Sequence, residues 1–366
     1  MGAGIMGLSA AWALDRLGHR VTVLEQRAVP NPQGASFDQH RLIRYPYGAA
    51  LGYTAMVGEA YEAWDRVWAD LGQRHYVATG TLALGVGESR WVDSSADALR
   101  ARGLHVEPLT AAELESRFPL LTGDGVASAF YSQTGGVLLA DRIVNSMARH
   151  LAVRGVEVMA ESRAAEIDTA SGSVVLAGGR TLKADAVVVA AGAWLPALVP
   201  AFAARVTPSR QVLVYLEPPA ERAAAWAAHP MLLDIGPDSG FYLVPPVERT
   251  GLKIGDHSFT MAGHPDDPRE VDPREAALVF ESGRRRLAGF DRYRVAHARS
   301  CYYAVEPEER FLLEPRGRAW VMAACSGHAF KFGPVLGQRL AEAIDGRLDP
   351  GDLSRWAAGE PPLTRP

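Results

Sequence analysis

Gly2, Gly4 and Gly7 spell G-x-G-x-x-G at the head of the 366-residue chain, and this motif with the segment after it restricts the fold more than any other stretch. Leu8 to Leu17 is rich in Ala and Leu at helical spacing, Gly18 stops the run, and "HRVTVLEQ" alternates like a strand. In a dinucleotide fold the first glycine permits a tight turn, the second lets the backbone approach a pyrophosphate, and the third lets the helix pack close to a strand. The helix beginning near Ile5 and Met6 would aim its N–H groups and positive dipole end at that pyrophosphate. Glu25, followed by Gln26, ends the second strand where an acidic side chain accepts from an adenosine ribose and favours a free 2′-OH. A glycine-rich loop can match the pattern by chance; helix, strand and Glu25 in register support a dinucleotide site. The fingerprint alone leaves NAD and FAD open.

Such a motif normally comes after a buried strand, and here only Met1 precedes it. The first strand of a doubly wound sheet is central, so its absence would leave the pyrophosphate loop without support. The expectation is a displaced start, with a GTG-encoded strand valine read as Met1 and roughly four to six further apolar residues upstream.

The remainder alternates between two patterns. "YTAMVGEAYEAWDRVWADL" (Tyr53 to Leu71), Ser94 to Arg102 and the run before Gly155 have helical spacing, and "HYVATGTLALG" reads as a strand. The wholly apolar run Ala186 to Ala191 fits a central strand of a parallel sheet covered by helices. A chain that returns to the first sheet in "VVVAAGAW", so far from the glycine loop, has the two-part construction of large FAD folds. From about Val206 to Tyr303, short alternating segments broken by Pro and Gly predict a mostly antiparallel sheet with one helix around Pro273 to Leu287. The predicted class is α/β with an α+β substrate domain. A Rossmann-type parallel sheet in residues 1–75, 138–205 and 306–366 would bind FAD, interleaved with a substrate-binding sheet in 76–137 and 206–305.

Thirty-eight basic against forty-two acidic side chains leave a formal charge of −4, too balanced for a counterion-driven nucleic-acid surface. Arg284, Arg285 and Arg286 read as an exposed helical face. Two cysteines, Cys301 and Cys325, argue against a disulfide-stapled scaffold. No signal peptide or spanning segment is evident, so a cytoplasmic protein without membrane partners is expected; a monomer is a separate expectation. No zinc, P-loop or Ser-His-Asp motif is present, and no metal is predicted.

Eight segments in order, "GAGIMG", "RLIRYPYG", "GVLLADR", "VVVAAGAW", "RQVLVYLE", "GLKIGDH", "SCYY" and "SGHAFKFGP", resemble the D-amino-acid-oxidase-like FAD superfamily. Within it they resemble most the monomeric sarcosine oxidase and N-methyltryptophan oxidase group. The resemblance implies FAD bonded through the sulfur of Cys301 to the flavin 8α-methyl. It implies that Arg44 and Lys331 clamp a substrate carboxylate, Arg41 lies close to the flavin, and Lys253 activates dioxygen. His257 would contact the substrate or tune its amine, and Tyr303 would wall the pocket, with Tyr302 pointing away if the segment is extended. Gly327, His328 and Phe330 would contact the ring, Ala164 the adenine half, and Gly192 and Trp194 the cofactor. The helix near Gly333 would aim its positive end at the flavin pyrimidine edge. "GASFDQHRLIR" departs from the family in placing Phe37 and Asp38 before the arginines, and "YLVPPVERT" replaces an aromatic, glycine-rich segment.

The resemblance implies oxidation of the C–N bond of an amino acid or N-alkyl amino acid, with dioxygen reduced to hydrogen peroxide. A dehydrogenase of the same fold using a quinone or protein acceptor, and an N-terminally truncated non-catalytic flavoprotein, are the alternatives.

Overall fold

The computed structural model describes residues 1–87, 90–236, 240–256 and 258–360. The glycine loop leads into the helix Ile5–Arg16, which is buried along most of its length, as an all-apolar surface demands. Its N-cap, Gly4, has no side chain to cap it; Ser36 substitutes, its Oγ accepting from Ile5 N at 2.9 Å. The helix Gly333–Ile344 lies across it. The approach needs glycine: a Cβ on Gly337 would come within 2.5 Å of the Ser9 backbone, and one on Gly333 within 2.6 Å of Ile5. The helices Leu51–Leu71 and Ala140–Val153 complete this layer around a core containing Trp12, Trp64 and Phe332.

Parallel pairing occurs at two places in this half. Thr22–Leu24 pairs with Glu157–Met159, and Val187–Val189 pairs with Ala319–Ala323. The backbone of Met1 and Gly2 joins them: Gly2 N donates to Leu24 O at 2.7 Å, and Ala190 N to Met1 O at 2.9 Å. The apolar run after Ala186 is thus in a parallel pair, as its two-faced hydrophobicity predicted.

The second layer is an eight-stranded sheet in the order Arg294–Val305, Thr207–Glu217, Leu252–Asp256, Gly240–Val244, Met231–Ile235, Thr81–Val86, Val126–Ser132, Glu107–Pro108. All its neighbours are antiparallel except Met231–Ile235 beside Thr81–Val86. The predicted helix is present as Pro273–Glu281, capped by Asp272 and Glu275 in a reciprocal box.

Two local readings change. "HYVATGTLALG" is two strands in different sheets, Tyr76–Ala78 and Thr81–Val86, broken at Gly80, whose φ of +75° and close approach to Tyr131 and Ser132 exclude a side chain. Arg286 is not on an exposed helical face: it lies beyond the helix end and is 1% exposed, with Nε donating to Asp234 at 2.6 Å. Asp234 sits on a central strand, where burial raises its carboxyl and Arg286 opposes that, so the guanidinium is drawn inward. Among the described residues no helix is long and apolar enough to cross a membrane, and no His/Cys/Asp/Glu cluster could hold a metal.

Candidate active site

A cleft runs from the glycine loop, between the two parallel pairs, toward the large sheet. Gly2 has φ +90°, and a Cβ there would sit 2.3 Å from Ala190 O; one on Gly7 would sit 1.9 Å from Gly2 O. Close backbone packing therefore requires glycine at both positions, and Gly7 serves the packing of helix on loop while Gly2, Gly4, Ile5 and Met6 face the cleft. Glu25 is buried and accepts from Ala3 N at 2.8 Å, Asn31 Nδ2 at 2.9 Å and Arg27 N at 3.3 Å. A carboxylate has about four lone-pair sites, so capacity remains for one ribose hydroxyl. Gln26, Ala164, Gly192 and Trp194 also line this cleft, and Trp194 Nε1 donates to Asp266 at 2.7 Å.

At its inner end the cleft meets a second cavity, and Arg41, Tyr303, Gly327 and Phe330 belong to the walls of both. The turn here is strained into position: Ala324, Ser326 and Gly327 have φ of +59°, +39° and +77°. A Cβ on Gly327 would meet the Tyr303 ring at 2.6 Å, so only glycine lets this turn close on the tyrosine.

Four cations line the second cavity, Arg41 and Arg44 half-buried and Lys253 and Lys331 buried. Arg44 lies over the rings of Tyr47 at 4.7 Å and Trp91 at 5.7 Å and donates to Pro46 O. Lys331 is 4% exposed and donates to Tyr47 Oη at 2.8 Å and His328 O at 2.7 Å. Neither has a carboxylate within ion-pair distance among the described residues. Burial, and secondly the charge of Arg44, pull the Lys331 ammonium well below its ordinary value. Glu309, on the same cavity wall, feels the charge of Arg44 without reaching it as an ion pair, which leaves the guanidinium and the ammonium available to an incoming anion. His328 bridges Tyr47 Oη at 3.1 Å and Glu309 O at 2.9 Å, fixing the turn that carries Lys331.

Lys253 forms another wall. A lysine in a strand could be a guard on an exposed edge, but this strand has neighbours on both sides and Lys253 is 1% exposed. Its Nζ donates to Asp38 Oδ2 at 2.9 Å and His40 O at 2.7 Å. Burial brings the ammonium down to about 8, against the pull of Asp38. Asp38 also accepts from Arg41 and Tyr215, and Lys253, Arg41 and Arg299 outweigh burial to hold its carboxyl well below the usual range.

The sequence matches the family described as FAD dependent oxidoreductase, DAO, over residues 1–343. The chain belongs to the DAO family. Over 99% of its length it is 25% identical to monomeric sarcosine oxidase of Bacillus sp. (strain B-0618), covering 95% of that protein. It is 26% identical to N-methyl-L-tryptophan oxidase of Yersinia pestis (strain Pestoides F), over 98% of this chain and 97% of that one. Among solved structures, NikD, an amino acid oxidase essential for nikkomycin biosynthesis, superposes with a TM-score of 0.81 at 21% identity, over 98% of this chain and 95% of that one. Glycine oxidase from Geobacillus kaustophilus does so with 0.81 at 19%, over 98% and 96%.

The residues of this DAO-family chain fit FAD. The side-chain-free loop at a helix N-terminus suits the pyrophosphate, the spare acceptor capacity of Glu25 suits the ribose, and the junction at Arg41, Tyr303, Gly327 and Phe330 opens toward the cation-bearing cavity. Along Arg294–Val305, alternation puts Arg299, Cys301 and Tyr303 on one face and Tyr302, which donates to Asp267 at 2.9 Å, on the other; Tyr302 as well as Tyr303 nevertheless lines the cleft, and Cys301 is on the wall of neither cavity. Burial raises the Cys301 thiol, which lies near enough to Arg41, Arg299 and Asp38 to feel their charges. Cys325 lines the cleft itself. His257 lies outside the described residues. Two site residues were not singled out from sequence for a role. Tyr242 lines the second cavity, and its phenol is raised by burial against the pull of Arg41. Asp38, noticed only as a departure from the family, ties Lys253 to Arg41. For Tyr242, the strand alternation in "GFYLVPP" was the available signal, setting it on the face opposite Phe241 and Leu243.

Proposed function

We propose that this flavoenzyme oxidises a C–N bond of an amino acid or N-alkyl amino acid and passes the electrons to dioxygen. The observation that carries the reading is the pair of cations Arg44, half-buried, and Lys331, buried, with no carboxylate within ion-pair distance of either among the described residues, in the cavity that adjoins the flavin cleft. The two sequence relatives are named for oxidation of sarcosine and N-methyl-L-tryptophan, both amines bearing a carboxylate.

Bound FAD supplies a two-electron acceptor for hydride. The chain's part is to hold the substrate beside it. Arg44, pinned between Tyr47 and Trp91, offers a two-pronged guanidinium to the carboxylate, and Lys331 adds a point charge. A carboxylate so held orients the carbon next to nitrogen toward the junction at Tyr303, which walls the site together with Tyr242. Converting C–N to C=N removes two electrons and two protons, dioxygen takes up the equivalent to become hydrogen peroxide, and water hydrolyses the imine. Lys253 contributes a fixed positive charge for the dioxygen step. We assign His257 to substrate contact on the resemblance alone.

The test is an aerobic panel of sarcosine, N-methyl-L-tryptophan, glycine and L-proline, each beside its analogue lacking the carboxylate, scored for peroxide. Peroxide is expected from at least one carboxylate amine, with kcat/KM about 10²-fold above its analogue. Equal turnover of the analogues, or dye reduction without peroxide, overturns the reading.

We also propose that Cys301 is the residue through which the flavin is held. Flavin is then expected to stay on protein precipitated in acid, with its mass on the Cys301 peptide. Cys301→Ser loses it and Cys325→Ser keeps it; an adduct on Cys325, or none, refutes the assignment.

A further inference from the structure

We infer that Asp38 is the positioning residue for Lys253: its carboxylate, shared among Lys253, Arg41 and Arg299, holds the ammonium in place and charged at the cavity wall, and so sets the pH limit of the dioxygen step. The kinetic part rests on the reading of Lys253 as the dioxygen-side cation; the coupling of the two residues does not.

The Asp38 side chain is fully buried. Its Oδ2 faces Lys253 Nζ at 2.9 Å and the Arg41 guanidinium, and its Oδ1 accepts from Tyr215 Oη and, at 2.9 Å, from Gln39 N, with Arg299 3.8 Å away. Its backbone oxygen accepts from Asp141 N at 3.0 Å, which ties the loop to the helix Ala140–Val153. The carboxylate is therefore clamped from several elements and cannot follow a moving partner. An ammonium has three N–H donors; Asp38 and His40 O take two, and Lys253 lines the cavity with the third to spend there.

Charge counting shows why the pair controls protonation. One carboxylate serves Lys253, Arg41 and Arg299, and arginine does not give up its proton, so lysine is the cation that yields when the carboxylate is lost. The other groups facing Lys253 hold still around neutrality. His40, in the same loop, is kept neutral by burial and by Lys253, down to about 3. Tyr215, on the neighbouring strand, is raised by burial and by Asp38 and remains a donor. Tyr242, on the other neighbouring strand, and Cys301, beside Arg299, are both raised by burial.

The experiment uses flavin-loaded protein labelled with ¹⁵N-lysine, the Lys253 Nζ resonance being identified by its loss in Lys253→Met. Asp38→Asn keeps shape and removes charge; the resonance is expected to titrate about one pH unit lower or more. Arg299→Met removes a cation from the same carboxylate and is expected to move it to higher pH. Reoxidation by dioxygen after anaerobic dithionite reduction should track the resonance: at pH 8, Asp38→Asn is about fivefold slower than the wild type or more, and the two converge at pH 6. An unmoved resonance in both variants, or slowing by the same factor at every pH, overturns the inference. Wild-type reoxidation in Lys253→Met overturns the role given to Lys253 and with it the kinetic part, while the resonance still decides the coupling.

Discussion

Arg44→Met is expected to raise KM for the preferred carboxylate substrate by about 10²-fold while kcat falls much less. Removing one partner of a buried charge-assisted pair costs about 2–5 kcal/mol, and every 1.4 kcal/mol is about tenfold. Arg44 is held by the rings of Tyr47 and Trp91 rather than by a carboxylate, so its guanidinium is already aimed and little ordering is needed on binding. Lys331 limits the loss. The charge of Arg44 is one of the two causes that depress Lys331, so the variant makes that ammonium easier to keep. The double variant Arg44→Met/Lys331→Met should therefore lose more than either single change. Steady-state peroxide formation measures it, and an unchanged KM in Arg44→Met would show that the carboxylate docks elsewhere.

Lys253→Met is expected to slow reoxidation by dioxygen about 10²–10³-fold, the usual loss when one preorganised electrostatic partner is removed. Anaerobic reduction by substrate should change far less, since Lys253 is committed to Asp38 and His40 O rather than to the carboxylate clamp. The pH profile gives the sign. Burial brings Lys253 down to about 8, so its charge is complete below that pH and lost above it. Wild-type reoxidation should fall as pH rises through 8, and the variant should be slow and flat. Because the unfolded chain keeps that proton up to 10.5, this lysine also makes folding more favourable as pH rises between about 8 and 10.5. Stopped-flow mixing of reduced enzyme with aerated buffer separates the outcomes; equal rates in the two proteins would remove Lys253 from the dioxygen step.

The parts legible in the sequence were those whose signal is local. The glycine loop, the helix after it and Glu25 occupy some twenty-five consecutive residues, and backbone sterics or helix electrostatics account for each position. Arg41 and Arg44 stood out because two arginines in an apolar stretch must find partners. What the sequence concealed depends on contacts between distant segments. Arg286 reads as part of a solvated basic run until Asp234, on a central strand, is seen beside it. Asp38 sits in an unpatterned loop, and nothing near it announces that Lys253, Arg299 and Tyr215 arrive from three strands of another sheet. Gly80 looks like punctuation inside one strand, whereas Tyr131 and Ser132 crowd it and divide the segment between two sheets. Periodicity reports which face of an element is buried and says nothing of what is buried against it.

The contact of Gly333 and Gly337 with Ile5 and Ser9 has a consequence for biosynthesis. A chain is made from its N-terminus onward, and its early segments generally fold first. Here the helix of the glycine loop is seated by a helix that follows it only after about three hundred residues, so its packing surface is complete only once residues up to Ile344 have been made. A chain clipped before Gly333 is therefore expected to keep the whole glycine fingerprint while lacking the helix that seats it.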